Sequence, residues 1–363
     1  MKHIGIITHY DVFNHGAILQ LNALCKTLRA KGYDAKALQF EKNYDFLGVK
    51  LKSKYNISIK SVVFYIKYLC KKGMGKTIFN VRKMRLLNKF KQQEQLLDAY
   101  YTECGKKDAV IIGSDEVFAL HTGPTPVFFG HACPSDHVIS YAGCFGPTTL
   151  NDIRQLHCEA LVKSGLQSME AVSVRDKNSF DIVTELTGKE PTLVCDPVIL
   201  YGYRQELARF TPPSLPKYMV VYAYDESLND PEEVKQIKDY ARRNNLIIVS
   251  PGFYHSWCDK NINVDSVNII NYFAHAACVV TDTFHGTVLS IITGREVAVK
   301  IRNNSNKLLN LIHEYHLEQQ TVSSFDQLDR AFSKPIDYQS VNQEIEKRRK
   351  ASMEFLDKAL RNI

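Results

Sequence analysis

Short runs of consecutive apolar residues alternate along this chain with segments in which apolar positions recur every three or four residues. Runs of the first kind are 2–8, Asp34–Phe40, Asp108–Gly113, Val138–Tyr141, Ala171–Val174 and Thr192–Cys195. They have the composition of strands buried on both faces, which lack strict apolar–polar alternation. Ala17–Lys31 and 177–187 have helical periodicity, with Ile18, Leu21, Leu24, Cys25 and Leu28 on one face of the first. A second series follows the Pro-rich 201–217: strands Tyr218–Ala223, Leu246–Ser250, Cys278–Thr281, Val297–Ile301 and Thr321–Val322, with helices Pro231–Asn244, 267–276 and 306–316. Two successive βαβ series predict an α/β fold of two Rossmann-like lobes with a cleft between them. The expected divisions are an N-terminal lobe over 1–200 with a helical insertion at 48–95, a linker at 201–217, a C-terminal lobe over 218–337 and a final helix in 338–363.

The polar residues gather where the strands end. Cys278–Thr281 runs into Asp282-Thr283-Phe284-His285-Gly286-Thr287 and then a helical face of Val288, Leu289, Ile291 and Ile292. A strand, polar turn and helix place side chains at the carboxyl edge of a sheet, where the free amides of a helix start attract anions. Asp282 as a plain helix cap and His285 as a structural histidine is the competing reading. The loop after the first strand, His9–Gly16, carries Asn14 and Gly16 but no GxGxxG, so it does not support a dinucleotide site. Ser114-Asp115-Glu116 follows another strand, and Arg175 ends a fourth. The planar fork of Arg175 suits a carboxylate or phosphate, or else a salt bridge to Asp176 or a neighbour.

Composition narrows the class. With 45% hydrophobic and 23% charged residues the chain is that of an ordinary globular protein. The first strand begins at the chain's start, leaving no room for a signal peptide, and no run reaches a membrane span, so a cytoplasmic protein is expected. Nine cysteines without a CxxC pair and histidines without ligand spacing argue for neither disulfides nor a metal. The net charge of +7 is concentrated: residues 48–95 hold thirteen Lys and Arg and one acid. Three readings apply to that segment: a solvated face, a basic amphipathic element at a membrane surface, or, weakest without a recognised fold motif, a nucleic-acid site.

The motifs, in order, are Gly5-Ile6-Ile7-Thr8 leading to Asn14-His15-Gly16-Ala17-Ile18-Leu19-Gln20; Gly113-Ser114-Asp115-Glu116-Val117-Phe118; and Ser140-Tyr141-Ala142-Gly143-Cys144-Phe145-Gly146. Ser173-Val174-Arg175-Asp176, Cys195-Asp196-Pro197, Thr281–Thr287 and Ile336-Asp337-Tyr338 follow. Together they resemble the polysaccharide pyruvyl transferase family over nearly the whole chain. The resemblance implies a fold similar to two-lobed (GT-B-like) glycosyltransferases, with the donor site in the C-terminal lobe. It implies transfer of the pyruvyl group of phosphoenolpyruvate onto two hydroxyls of a sugar in a bacterial surface polysaccharide or its precursor. A cyclic ketal forms and phosphate leaves, without cofactor or metal. His285, Asp282 and Asp115 then carry the chemistry: His285 moves protons, Asp282 orients it, and Asp115 or Glu116 binds or deprotonates acceptor hydroxyls. Arg175, Thr283, Gly286, Thr287, Asn14, Gly16, Ser114, Glu116 and Tyr141 line the substrates.

The implied partners are phosphoenolpyruvate and a sugar acceptor, a lipid-linked oligosaccharide among the options, reached at the inner face of the cytoplasmic membrane through 48–95. No nucleic acid is implied. Two departures stand out. Thr283 replaces an arginine frequent in the family, with Lys300 and Arg302 as candidate substitutes, and Glu116 replaces the usual glutamine. The alternative function is a nucleotide-sugar-dependent glycosyltransferase of the same architecture.

Overall fold

The computed structural model describes residues 1–41, 73–302, 306–361 and 363. The part of the helical insertion expected at 48–95 that precedes Gly73 lies outside the described residues.

Two parallel sheets carry the chain. The first has the order β3-β2-β1-β4-β5, built from β1 (His3–Ile7), β2 (Asp34–Gln39), β3 (Leu97–Tyr100), β4 (Ala109–Ile112) and β5 (Val138–Ser140). A short parallel pair, β6 (Ser173–Val174) and β7 (Thr192–Leu193), continues its edge through bridges from Ile139 to Ala171 and Gly143 to Val174. The second sheet has the order β10-β9-β8-β11-β12-β13. Its strands are β8 (Tyr218–Tyr222), β9 (Ile247–Pro251), β10 (Lys260–Ile262), β11 (Cys278–Thr281), β12 (Val297–Lys300) and β13 (Thr321–Val322).

The central strands β4, β8 and β11 are buried at every residue, which is why they read as unbroken apolar runs. In each sheet the strand order reverses once, between β1 and β4 and between β8 and β11. Loops leaving these four strands open the crevice that such a reversal makes. A continuous apolar core joins the sheets, running from Ile4 and Leu24 through Val198 and Ile199 to Val220 and Val279.

The structure departs from the sequence reading at several points. The insertion is followed by strand β3, a half-buried edge strand that the sequence reading did not include and that has no β-branched residue to mark it. β10 is likewise a short edge strand that the periodicity missed. Within 201–217, Tyr203 is fully buried and its hydroxyl donates to the Leu19 carbonyl at 3.0 Å, so this stretch is packed against the first helix. That helix starts at His15, because the Asn14 side chain caps it by accepting from the Gly16 amide at 2.9 Å. The final helix, Tyr338–Ala359, returns to the first sheet's side: Arg349 Nε donates to the Ile199 carbonyl at 2.6 Å, and Ser352 Oγ accepts from the Cys195 amide at 2.9 Å.

The described part of the basic segment is the helix Met74–Gln93. Three of its lysines turn inward rather than to solvent. Lys76 reaches Glu226 at 2.9 Å, Lys83 donates to the Gly252 carbonyl at 3.1 Å, and Lys91 donates to the Tyr10 carbonyl at 3.2 Å. Burial pulls the pKa of Lys83 and Lys91 below that of a free lysine. Arg82, Arg85 and Lys89 remain exposed beside Met74, Ile78 and Val81.

Candidate active site

The crevice is assembled from strand ends. Asp115 follows β4 with a backbone φ of 75°, an uncommon conformation for a residue with a side chain. Arg175 leaves β6, Asp196 follows β7, Tyr224 follows β8 and Asp282 follows β11. Thr283 caps the helix Phe284–Thr293, which carries His285 on its second residue. The next helix, Asn306–Glu314, brings Lys307 over the same crevice.

Arg175 is buried at the centre. Nη2 donates to Asp115 Oδ1 at 2.8 Å and Nη1 to Asp196 Oδ2 at 2.9 Å, and the guanidinium lies 4.4 Å above the Phe284 ring. The forked cation thus joins two carboxylates from different loops. Its side chain is 2% exposed, so it organises the site and does not present a free fork to a ligand. The salt-bridge reading of Arg175 holds, with different partners from the one expected. Asp176 instead caps the following helix, accepting from the Ser179 amide at 2.8 Å.

His285 stands against this cluster. Its Nε2 lies 3.8 Å from Asp196 Oδ2 and has no hydrogen-bond partner among the described residues. Burial is the main cause holding its pKa below the ordinary 6.5. The Asp196 and Asp115 carboxylates oppose that shift, and the Arg175 and Lys307 cations reinforce it. The ring is therefore a neutral imidazole at neutral pH. Asp115 is also buried, but Arg175 and then Lys307 outweigh that and keep its carboxyl below the usual range.

Gly16 explains how the lobes meet. A Cβ there would stand 2.8 Å from the Cβ of His285 and closer still to ring atoms Cγ and Nδ1. Only glycine lets the first helix approach the histidine of the second lobe.

Lys307 escaped the sequence reading. Its Nζ lies 2.8 Å from Glu116 Oε1 and 5.6 Å from the Phe284 ring centre, and its side chain is 22% exposed. The pair crosses the cleft, linking the loop after β4 to a helix of the second lobe. A lysine at a helix start carries no motif, so no local signal could have found it. Asp196 had one, since Cys195-Asp196-Pro197 was among the motifs. Its pairing with Arg175 was nevertheless not legible, because Asp before Pro reads equally as a helix cap, and Asp196 Oδ1 is one, accepting from Val198 at 2.9 Å.

Several expected roles change. Asp282 does not orient His285: its Oδ2 accepts from Arg302 Nε at 2.7 Å, and Asp196 is the carboxylate facing the histidine. Arg302 also reaches Glu233 at 3.0 Å, and Lys300 pairs with Glu233, so these two cations are engaged away from the donor position proposed for them. Thr283 Oγ1 accepts from the Gly286 amide at 3.0 Å, and the Thr287 hydroxyl donates to the Thr283 carbonyl at 3.1 Å. The three residues form the helix start, and the Gly286 amide is already used. Tyr141 is fully buried, its hydroxyl donating to the Cys195 carbonyl at 3.0 Å, and the equally buried Ser114 bonds the Ala142 carbonyl at 3.4 Å. Both brace loops behind the site. Asn14, Gly16, Asp115, Glu116, Arg175 and His285 do come together.

Beside Lys307 the crevice holds a cavity of about 240 Å³ whose walls include Glu116, Tyr224, Asp282 and Thr283. Among the described residues no cluster of His, Cys, Asp and Glu is arranged to hold a metal ion, and no helix is long and apolar enough to cross a membrane.

Two parallel α/β lobes with charged groups converging at their crevice define the GT-B-like class. The UDP-N-acetylglucosamine 2-epimerase from Neisseria meningitidis bound to UDP-GlcNAc is similar over 100% of both chains, with a TM-score of 0.52 and 9% identity. S. aureus MnaA with UDP gives 0.51 and 12% identity over 98% of this chain and 95% of that one. The glycotransferase of kitacinnamycin gives 0.50 and 11% identity over 99% of each. At such identities the likeness is one of fold. No curated protein matches the sequence. The profile of the family described as polysaccharide pyruvyl transferase matches residues 14–304, and the chain belongs to that family.

Proposed function

We propose that this protein transfers the pyruvyl group of phosphoenolpyruvate to two hydroxyls of one sugar, forming a cyclic ketal and releasing phosphate, with no cofactor. The observation that carries the reading is a His285 Nε2 without a hydrogen-bond partner among the described residues, beside a cleft cation, Lys307, and a fixed Asp115–Arg175–Asp196 cluster. Phosphoenolpyruvate is a small polyanion with a weakly basic methylene carbon. It needs a cation to hold it and a group that moves one proton.

In this reading Lys307 exchanges Glu116 for the donor's phosphate or carboxylate. His285 takes the proton of the first attacking hydroxyl and delivers it to the donor's methylene carbon as the new C–O bond forms at C2. The second hydroxyl then attacks C2, the bond to phosphate breaks, and its proton leaves with phosphate. Arg175 keeps Asp115 ionised and holds both Asp115 and Asp196 in place around the imidazole.

Phosphoenolpyruvate should raise the thermal midpoint of the wild type, as a ligand of the folded state does. Lys307→Ala should abolish that shift, and His285→Gln should keep it while turnover falls by roughly 10²–10⁴-fold. Because the pKa of His285 is lowered, its neutral form persists below pH 6.5. The kcat/KM profile should therefore be level through neutrality, with its acid limb below that value. A midpoint shift with UDP- or GDP-sugars and none with phosphoenolpyruvate would overturn the reading in favour of a nucleotide-sugar glycosyltransferase.

A lipid-linked acceptor at the inner membrane face belongs to the same reading. Met74, Ile78 and Val81 lie exposed on one helix with Arg82, Arg85 and Lys89, a combination suited to anionic headgroups. Co-sedimentation with vesicles should rise with anionic lipid and fall with salt. Indifference to both would count against membrane contact.

A further inference from the structure

We infer that the helix Met74–Gln93 straps the two lobes together and makes the cleft's hold on its ligand respond to an anionic lipid surface. The inference rests on the membrane-contact reading of the helix's outer face and adds to it the coupling to the cleft.

The helix carries six bases and no acid, and the bases fall into two stripes. Lys76, Lys83 and Lys91 are spaced seven and eight residues apart, two helical turns each, so they share one face. Arg82, Arg85 and Lys89 recur at three and four residues on the opposite face, together with the exposed Met74, Ile78 and Val81. A uniformly solvated charge run would not sort in this way.

The inner stripe reaches both lobes. At the first lobe, Leu87 and Phe90 enter the core and Lys91 donates to the Tyr10 carbonyl. Glu94, just past the helix, is held by two residues of the first helix: its carboxylate accepts from Asn22 at 3.0 Å and its carbonyl from Arg29 at 2.8 Å. At the second lobe, Asn80 donates to Asp225 Oδ2 at 3.1 Å and Lys76 to the Asp225 carbonyl at 3.2 Å. Lys83 donates to the Gly252 carbonyl and lies 5.0 Å from the Phe253 ring centre. The Phe79 carbonyl accepts from Asn263 at 3.1 Å, and its ring meets Tyr254 at 5.6 Å. One rigid rod of about 30 Å thus spans loops at the carboxyl edges of both sheets.

The loops it grips are those that shape the cleft. Asp225 directly follows Tyr224, whose hydroxyl lies 3.5 Å from the Asn14 amide across the crevice. Phe253 is edge-on to Tyr224 at 5.5 Å, and a Cβ on Gly252 would stand 2.7 Å from the His15 ring, one residue before the Gly16 that abuts His285. The lobes cannot part without detaching one end of the helix. A surface that binds the outer stripe holds the helix in place, so a cleft ligand then orders the lobes at lower entropic cost, which is positive coupling. Coupling is reciprocal, so the ligand should tighten the hold on the surface by the same factor.

The test measures phosphoenolpyruvate affinity by calorimetry on the whole protein with phosphatidylserine–phosphatidylcholine vesicles or phosphatidylcholine vesicles. Hydrogen exchange is read on the same samples without phosphoenolpyruvate. Anionic vesicles should tighten phosphoenolpyruvate binding by about fivefold or more in the wild type and slow exchange in the loops bearing Asp225 and Phe253. Neutral vesicles should do neither. Asp225→Ala and Lys83→Met leave the outer stripe intact, so both should still sediment with anionic vesicles while losing both responses. Asp225 lies off the helix with its side chain 17% exposed, and its variant decides if Lys83→Met fails to fold. A protein that ignores anionic vesicles, binding that changes neither readout, or responses that persist in Asp225→Ala would overturn the coupling. Slowed exchange in those loops of a protein that does not bind phosphoenolpyruvate would leave the strap standing and remove the donor.

Discussion

Replacing Arg175 by alanine should cost about 3–5 kcal/mol of folding stability, because it leaves two buried carboxylates without their shared cation. Asp115 Oδ1 and Asp196 Oδ2 lie 2.8 and 2.9 Å from the two ends of one guanidinium, with the Arg175 side chain 2% exposed. The variant loses a fork and keeps both charges, the expensive way to break a buried pair. Denaturant titration would read the loss. Adding Asp196→Asn to Arg175→Ala should restore part of it, a coupling that a double-mutant cycle isolates. Arg175→Lys should recover little, since one ammonium cannot reach along two directions in the plane of a guanidinium.

Lys307→Ala is the contrast. Its pair with Glu116 is partly exposed and should contribute roughly 0–1 kcal/mol, so stability should barely change while the anionic donor is lost. Equal destabilisation by the two variants would refute this division between an organising cation and a binding one.

That division also marks where the sequence was readable. β4, β8 and β11 are continuous apolar runs because both faces are buried, and the polar residues after them had to lie at one sheet edge. Asn14, Asp115, Arg175, Asp282 and His285 were therefore legible as crevice residues. What each one touches was not. Whether Arg175 faces Asp176 or Asp196 depends on how β6 and β7 pair, and Asp282, expected to orient His285, turns to Arg302 instead. Lys83 and Lys91 illustrate the same limit. Within a basic stretch they look like surface charge, yet their stems are buried and their ammonium groups meet backbone carbonyls across the fold. Periodicity reports which face is apolar and says nothing of which lysine has found a carbonyl.

Gly16→Ala should lower turnover by about 100-fold or more while leaving the phosphoenolpyruvate thermal shift near that of the wild type. In an isolated helix the change would help, since alanine is favoured over glycine by roughly 0.5–1 kcal/mol. Here the new methyl meets the His285 ring, whose Cβ alone would be 2.8 Å away. Either the imidazole rotates or the first helix retreats, and both move Nε2 from its place beside Asp196. A displacement near 1 Å is enough to cost about 10²-fold. Overpacking should also remove about 1–3 kcal/mol of stability. The background His285→Gly separates the causes: with the ring and its Cβ gone, Gly16→Ala should be neutral or mildly stabilising. Turnover equal to wild type in Gly16→Ala, or the same stability loss with and without the ring, would mean that the contact between the first helix and His285 does not set the geometry of the site.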